Sequence, residues 1–167
     1  RLHDTNGSRC NLAKNDFQFS RQRDFQKIQI ERSYLSGMPP VSCDAGQIQQ
    51  VVFNILKNGA QAMWEQGAGS LKPKFRLTLD RQDEWARIII ADNGPGMPET
   101  VRKRIFDPFY TTKPTGSGTG LGLSISYFII TENHAGRLAV DSSPGRGTVF
   151  TIRLPLTHKP PSRETDQ

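Results

Sequence analysis

Three groups of residues have types and spacings that could do chemistry. The first is the run Gly116-Ser-Gly-Thr-Gly-Leu-Gly122, with glycines at 116, 118, 120 and 122. Such glycines leave backbone N–H groups uncovered just ahead of a helix start, and both the N–H groups and the helix dipole favour a phosphate. A flexible surface linker has the same composition. The run is not a Walker loop, because the chain has no Gly-Lys pair. It also lacks the dinucleotide pattern, since Leu121 and Leu123 stand where the third glycine belongs. The second group is Asp92 in Asp92-Asn-Gly-Pro-Gly-Met97, at the end of an apolar stretch where an unpaired carboxylate is costly. A carboxylate there could accept a hydrogen bond from an exocyclic amine, or it could simply initiate a turn. The third is Asn54 and Asn58, one helical turn apart. An amide oxygen can enter the shell of Mg²⁺; two amides can also just solvate a helix face.

These residues need elements to hold them. Asp44 is a good N-cap, with Gln47 placed to close a capping box, and Ile48, Val51, Val52, Ile55 and Met63 recur at helical spacing. The helix is expected to run to about Trp64 and end in Gly67–Gly69, with Gln50, Asn54, Asn58 and Gln61 on a second face. Before it, residues 27–35 suit a strand that Gly37, Pro39 and Pro40 stop. After it, Phe75–Leu79 and Ala86–Ala91 read as a hairpin whose turn is Arg-Gln-Asp-Glu. A short helix is expected over Pro98–Ile105, then a loop through Asp107–Phe109. The glycine run opens onto a helix of about Leu121–Asn133, with Gly136 near its C-cap. A second hairpin folds around Ser143–Gly147. Residues 1–26 read as a lead-in, the end of a preceding element or disordered, 27–156 as the folded domain, and 157–167 as a disordered tail.

The chain has 167 residues, formal charge +6, a calculated isoelectric point near 9.6 and mean hydropathy −0.56. No apolar run approaches the roughly 20 residues of a membrane helix. Two cysteines, Cys10 and Cys43, are too few for a disulfide framework or a zinc site. Basic residues are dispersed, with no run interleaved with aromatics, so no nucleic-acid partner is expected. The chain begins with Arg1, and a piece of a longer protein is expected.

Taken in order, the motifs resemble the ATP-binding domain of sensor histidine kinases, within the superfamily shared with gyrase B, the heat-shock ATPase chaperones and the MutL repair proteins. QVVFNILKNGAQAM looks like the N box and DNGPGM like the first glycine box. FDPFYTTK looks like the F box, GSGTGLGLSIS like the second glycine box, and SSPGRGTVFTIRLP like the closing segment. The resemblance covers about residues 28–155. It implies an α+β fold, a two-layer sandwich of a mixed, mostly antiparallel sheet with three main helices on one face. It implies ATP and Mg²⁺ as cofactors.

Residue by residue, the resemblance makes Asn58 the Mg²⁺ ligand and puts Asn54 and Gln61 in the phosphate region. Asp92 would bind the adenine amino group, beside Gly94 and Met97, with Gly96 letting the base approach the backbone. Thr148 would support the adenine end through its hydroxyl, directly or by way of water. Residues 98–118 would form a mobile lid anchored by Phe106 and Phe109, from which Lys113 reaches the phosphates. Ser117, Gly118, Thr119, Gly120, Leu121 and Gly122 would meet the phosphate oxygens. Two departures stand out: Gly59 replaces a usual alanine, and Gln61 stands where relatives often carry a cation.

Gyrase-type and chaperone-type relatives place a glutamate one turn before the metal asparagine. Here that place holds Asn54, which has no useful basicity. The resemblance therefore implies phosphoryl transfer to a histidine on a separate dimerisation domain, and later to a response-regulator aspartate, with little hydrolysis. None of His3, His134 and His158 sits in a phosphoacceptor setting; His134, at a helix end, suits a cation there. The isolated chain is expected to be a cytoplasmic monomer without self-phosphorylation, and its parent a homodimer that can be membrane-anchored. The rival readings are a hydrolase that closes a dimer on ATP, a non-catalytic docking module and a basic nucleic-acid module.

Overall fold

The computed structural model describes residues 9–10, 12, 27–65, 72–113 and 118–156. In chain order the elements are β1 (Arg9–Cys10), β2 (Gln29–Tyr34), β3 (Val41–Ser42), α1 (Ala45–Glu65), β4 (Lys74–Gln82), β5 (Trp85–Asp92), α2 (Glu99–Arg102), α3 (Gly122–Phe128), β6 (Arg137–Ser142) and β7 (Thr148–Pro155). A five-stranded sheet has the order β2-β4-β5-β7-β6, with β2 parallel to β4 and every other pair antiparallel. The expected α+β sandwich of a mixed sheet under three helices is present.

Alternation dictates which sheet face meets the helices. On β5, Ala86, Ile88 and Ile90 are buried, and on β7 so are Phe150, Ile152 and Leu154. They pack under Ile48, Val51, Val52, Ile55 and Leu56 of α1 and Ile129 and Ile130 beyond α3, forming one core. Burial of an Ile, Leu or Phe is worth about 1.5–3 kcal/mol each.

Three boundaries differ from the sequence reading. The first hairpin is tighter: Gln82 pairs with Trp85, so only Asp83 and Glu84 turn, with Asp83 at φ 54°. The helix after the glycine run is α-helical only to Phe128, and Ile129–Asn133 continue as a π-helical turn. The left-handed residue that ends it is Ala135 (φ 49°), while Gly136 is needed for close packing, since a Cβ there would lie 2.5 Å from the Arg153 carbonyl oxygen. The lead-in contributes more than expected: Arg9–Cys10 pair antiparallel with Val41–Ser42, and Leu12 is buried. Gly67, Gly69 and the tail fall outside the described residues.

The start of α1 is only half a capping box. Asp44 Oδ1 accepts the Gln47 N–H at 3.0 Å, as expected. The Asp44 N–H, however, goes to His134 Nε2 at 3.0 Å, and Gln47 turns to accept from Asn133 at 2.9 Å. His134 therefore uses an unprotonated nitrogen to join α1 to the π-helical turn, with Nδ1 on the Ile129 carbonyl at 2.8 Å. An accepting Nε2 means a neutral ring, so His134 is not the helix-end cation that its position suggested.

Candidate functional site

β5 delivers Asp92 to the edge of the core, directly opposite Thr148 across the β5–β7 ladder. That register aims the Thr148 N–H at Asp92 Oδ1 (3.2 Å), which also accepts the Gly94 N–H (2.9 Å). Burial pushes the Asp92 carboxyl above its ordinary pKa, and the two backbone N–H groups pull it partly back. No cation pairs with Asp92 among the described residues, and neither backbone donor uses Oδ2. The loops around it come so close that only glycine fits. A Cβ on Gly147 (φ 74°) would lie 2.1 Å from the Asp92 carbonyl oxygen, and one on Gly96 (φ 69°) 2.0 Å from that of Ser143.

On α1, the expected polar face is present, and its members do different things. Asn54 Nδ2 donates to the Gly122 carbonyl and to Ser126 Oγ, both at 3.2 Å, while Ser126 Oγ itself donates to that carbonyl at 2.8 Å. Asn54 thus ties α1 to the first turn of α3. One turn on, Asn58 Oδ1 accepts from Lys113 Nζ at 3.3 Å, and Gln61 Oε1 accepts from the same ammonium at 2.5 Å. Glu65 holds Gln61 from behind at 2.8 Å. Burial lowers the Lys113 pKa, opposed by the Glu65 charge and reinforced by Lys57. Lys113 thus places an ammonium beside Gln61, held by the glutamine itself.

Gly59 has a packing reason. A Cβ there would stand 2.8 Å from the Phe75 ring and 3.2 Å from Asp92 Oδ2. The absence of a side chain lets α1 settle onto a fully buried Phe75 beside the carboxylate.

The segment from Pro98 to Lys113 leaves the sheet through α2 and returns over α1. Phe106 anchors it, packed against Tyr127 (ring centroids 5.1 Å apart) and Phe150 (6.4 Å). Phe109 does not anchor it, since its side chain is 73% exposed. Its backbone does the work: at φ 65°, Phe109 N–H donates to the Gly120 carbonyl at 3.0 Å. Gly120 (φ 66°) has to be glycine, since a Cβ would lie 2.6 Å from the Phe109 carbonyl carbon. Thr119 Oγ1 accepts the Leu121 N–H at 3.4 Å, and Gly118 lies against the Lys113 stem. Ser117 and Gly116 lie outside the described residues.

Sequence reasoning missed Ser142. Its Oγ meets Met97 N–H, the Gly147 carbonyl and Thr148 Oγ1, so it joins the 92–97 loop to the start of β7. A serine at a strand end carries no signal of this, because Met97 is 45 residues away. Ser126, four residues beyond Gly122, was equally silent.

Residues 43–158 match the model of a family described as histidine kinase-, DNA gyrase B- and HSP90-like ATPase. The chain is 38% identical over 147 residues to sporulation kinase E of Bacillus subtilis, which covers 87% of this chain and 19% of that protein. It is 39% identical over 137 residues to the sensory histidine kinase/phosphatase NtrB of Vibrio alginolyticus, covering 78% of this chain and 38% of that one. It therefore spans about a fifth to two fifths of these relatives. Among solved structures, the nucleotide-free catalytic domain of histidine kinase ThkA matches with TM-score 0.66 and 30% identity, covering 79% of this chain and 82% of that one. Full-length ShkA in complex with AMPPNP matches with TM-score 0.69 and 27% identity, covering 88% and 30%.

Proposed function

Because the chain belongs to the histidine kinase-, DNA gyrase B- and HSP90-like ATPase family, as a catalytic ATP-binding domain of the histidine kinase kind, we propose that it holds Mg²⁺-ATP between α1, the 92–97 loop and the lid. It presents the γ-phosphate to a histidine on a separate dimerisation domain of the same cytoplasmic kinase, for relay to a response-regulator aspartate. The observation that carries the reading is Asp92: a half-buried carboxylate with no cation paired to it among the described residues, one oxygen fixed by two backbone donors and the other left for a ligand. An ionised carboxylate so placed accepts the exocyclic amine of adenine, with Gly96 and Gly147 letting the flanking backbones pack closely around it.

At the other end the residues fit a cation. Asn58 Oδ1 already accepts an ammonium from Lys113. Among the described residues there is no cluster of three or more His, Cys, Asp or Glu side chains for a metal, so Asn58 and phosphate oxygens are the ligands proposed for Mg²⁺, as suits an ion that keeps its waters and takes substrate oxygens. When bound, Mg²⁺ neutralises phosphate charge. Lys113 then swings from Asn58 and Gln61 to the phosphates, and the backbone N–H groups of residues 118–122 at the head of α3 cradle them. Gln61 orients Lys113, Phe106 hinges the lid, and Thr119 shapes its return. Phosphoryl transfer asks mainly for such positioning and charge neutralisation.

Asn54 favours transfer over hydrolysis. Its amide N–H groups are spent on Gly122 and Ser126, so the side chain is a tether between helices, with no base to activate water. Calorimetric titration with ATP and GTP, each with and without Mg²⁺, tests the proposal. Adenine-selective, Mg²⁺-dependent binding is expected, followed by phosphorylation of the histidine domain supplied in trans. Steady Mg²⁺-dependent ATP turnover by this chain alone would favour the hydrolase instead.

A further inference from the structure

We propose that Ser142 is a positioning residue that sets which way the Thr148 hydroxyl points its proton, and through it which group the site accepts at the six-position of a purine. The inference rests on the nucleotide-binding reading above and adds a residue to it. A serine hydroxyl has one proton and two lone pairs. The Met97 N–H can only donate, and it approaches Ser142 Oγ at 2.9 Å, filling one lone pair. The Gly147 carbonyl can only accept, and at 2.9 Å it takes the serine proton. The remaining neighbour is Thr148 Oγ1 at 3.0 Å. Only the second lone pair of Ser142 is left for it, so Thr148 must donate its proton inward.

The consequence lies on the ligand side. With its proton committed to Ser142, the Thr148 hydroxyl offers lone pairs only. Its own backbone N–H is bound to Asp92 Oδ1 at 3.2 Å, so hydroxyl and carboxylate are held at one corner. Two acceptors there suit an exocyclic amine and oppose a keto oxygen. Remove the Ser142 hydroxyl and the Thr148 proton is free to turn outward, toward a keto group. Ser142 touches no ligand in this scheme; it acts through Thr148.

The test compares calorimetric affinities for ATP and ITP, which differ in carrying an amine or a keto oxygen at that position. The wild-type chain is expected to prefer ATP. In Ser142→Ala the preference narrows about fivefold to tenfold, the worth of one hydrogen bond, and Ser142→Thr restores it. In a Thr148→Val background, Ser142→Ala leaves the ratio unchanged, because the hydroxyl it steers is gone. Ser142→Cys, which keeps the size of the side chain, is measured alongside and narrows the ratio partway even if the alanine variant does not fold. Equal weakening of both nucleotides in the folded variants, or an unchanged ratio, assigns Ser142 a structural role only and overturns the proposal. A wild-type chain that binds neither nucleotide overturns the nucleotide-binding reading with it. ATP selectivity that survives Ser142→Ala and Ser142→Cys overturns this inference alone.

Discussion

At Asp92, folding and binding ask for opposite protonation states. Burial raises its pKa, so in the ligand-free protein this group contributes most to stability below its unfolded value. That contribution is lost as pH rises from the unfolded value through the raised folded one. Adenine needs the ionised form, so ATP affinity is expected to fall as pH is lowered through the raised pKa, above the range where an ordinary aspartate titrates. Asp92→Asn should weaken ATP by about 1–3 kcal/mol, the scale of a charged hydrogen bond, and flatten that pH dependence. Titrations of both proteins across acid pH check it, and equal affinity for the two would remove Asp92 from base recognition. Asn58→Ala makes a separate claim at the other end of the site: the Mg²⁺ dependence of ATP binding should disappear. If that dependence survives in the alanine variant, the metal is held elsewhere.

At the scale of elements, the site is made by close approach, and glycine is what permits it. Gly147 brings β7 within reach of the last residue of β5. Gly147→Ala adds both a left-handed penalty and a 2.1 Å clash with the Asp92 carbonyl. It should cost at least about 2 kcal/mol in urea unfolding and weaken ATP. A melt like wild type would show that the two strands can part cheaply. Gly59 is a milder case in which two effects compete. Alanine would favour the helix by about 1 kcal/mol, but its Cβ would press on a Phe75 ring with no room to yield. The packing effect wins at a fully buried ring, which explains a glycine in mid-helix that propensity alone counts as a defect.

Across the whole molecule, stability is graded. The sheet and α1 form one core, whereas the described part of the lid is fastened by Ile105 in that core, Phe106 packed against it, the Phe109–Gly120 backbone bond, and Lys113 on Asn58 and Gln61. Amide exchange without nucleotide is therefore expected to be fastest over residues 103–113 and slowest over β4, β5 and β7. Lys113→Met removes one fastening and should speed exchange across the lid further, leaving the sheet unchanged. Slow lid exchange that is indifferent to Lys113 would mean that the lid is held by something else. No described helix is long and apolar enough to cross a membrane.

Read alone, the sequence determined the periodic elements and the order of the polar motifs. Alternation marked β4, a largely apolar run marked β5 and the helical stripe marked α1, and the motifs taken in order resembled those of the histidine kinase ATP-binding domain; all of these are local patterns. It left to the tertiary structure whatever depends on partners distant in the chain. His134 caps α1 across 90 residues, which no spacing rule predicts. Ser142 meets Met97 across 45, and Lys113 meets Asn58 across 55. Exposure was equally undecided: Phe106 and Phe109 look alike in sequence, yet one is packed between rings and the other turned to solvent by a left-handed backbone. Hydrogen-bond polarity and burial are properties of surroundings, and those exist only once the chain has folded.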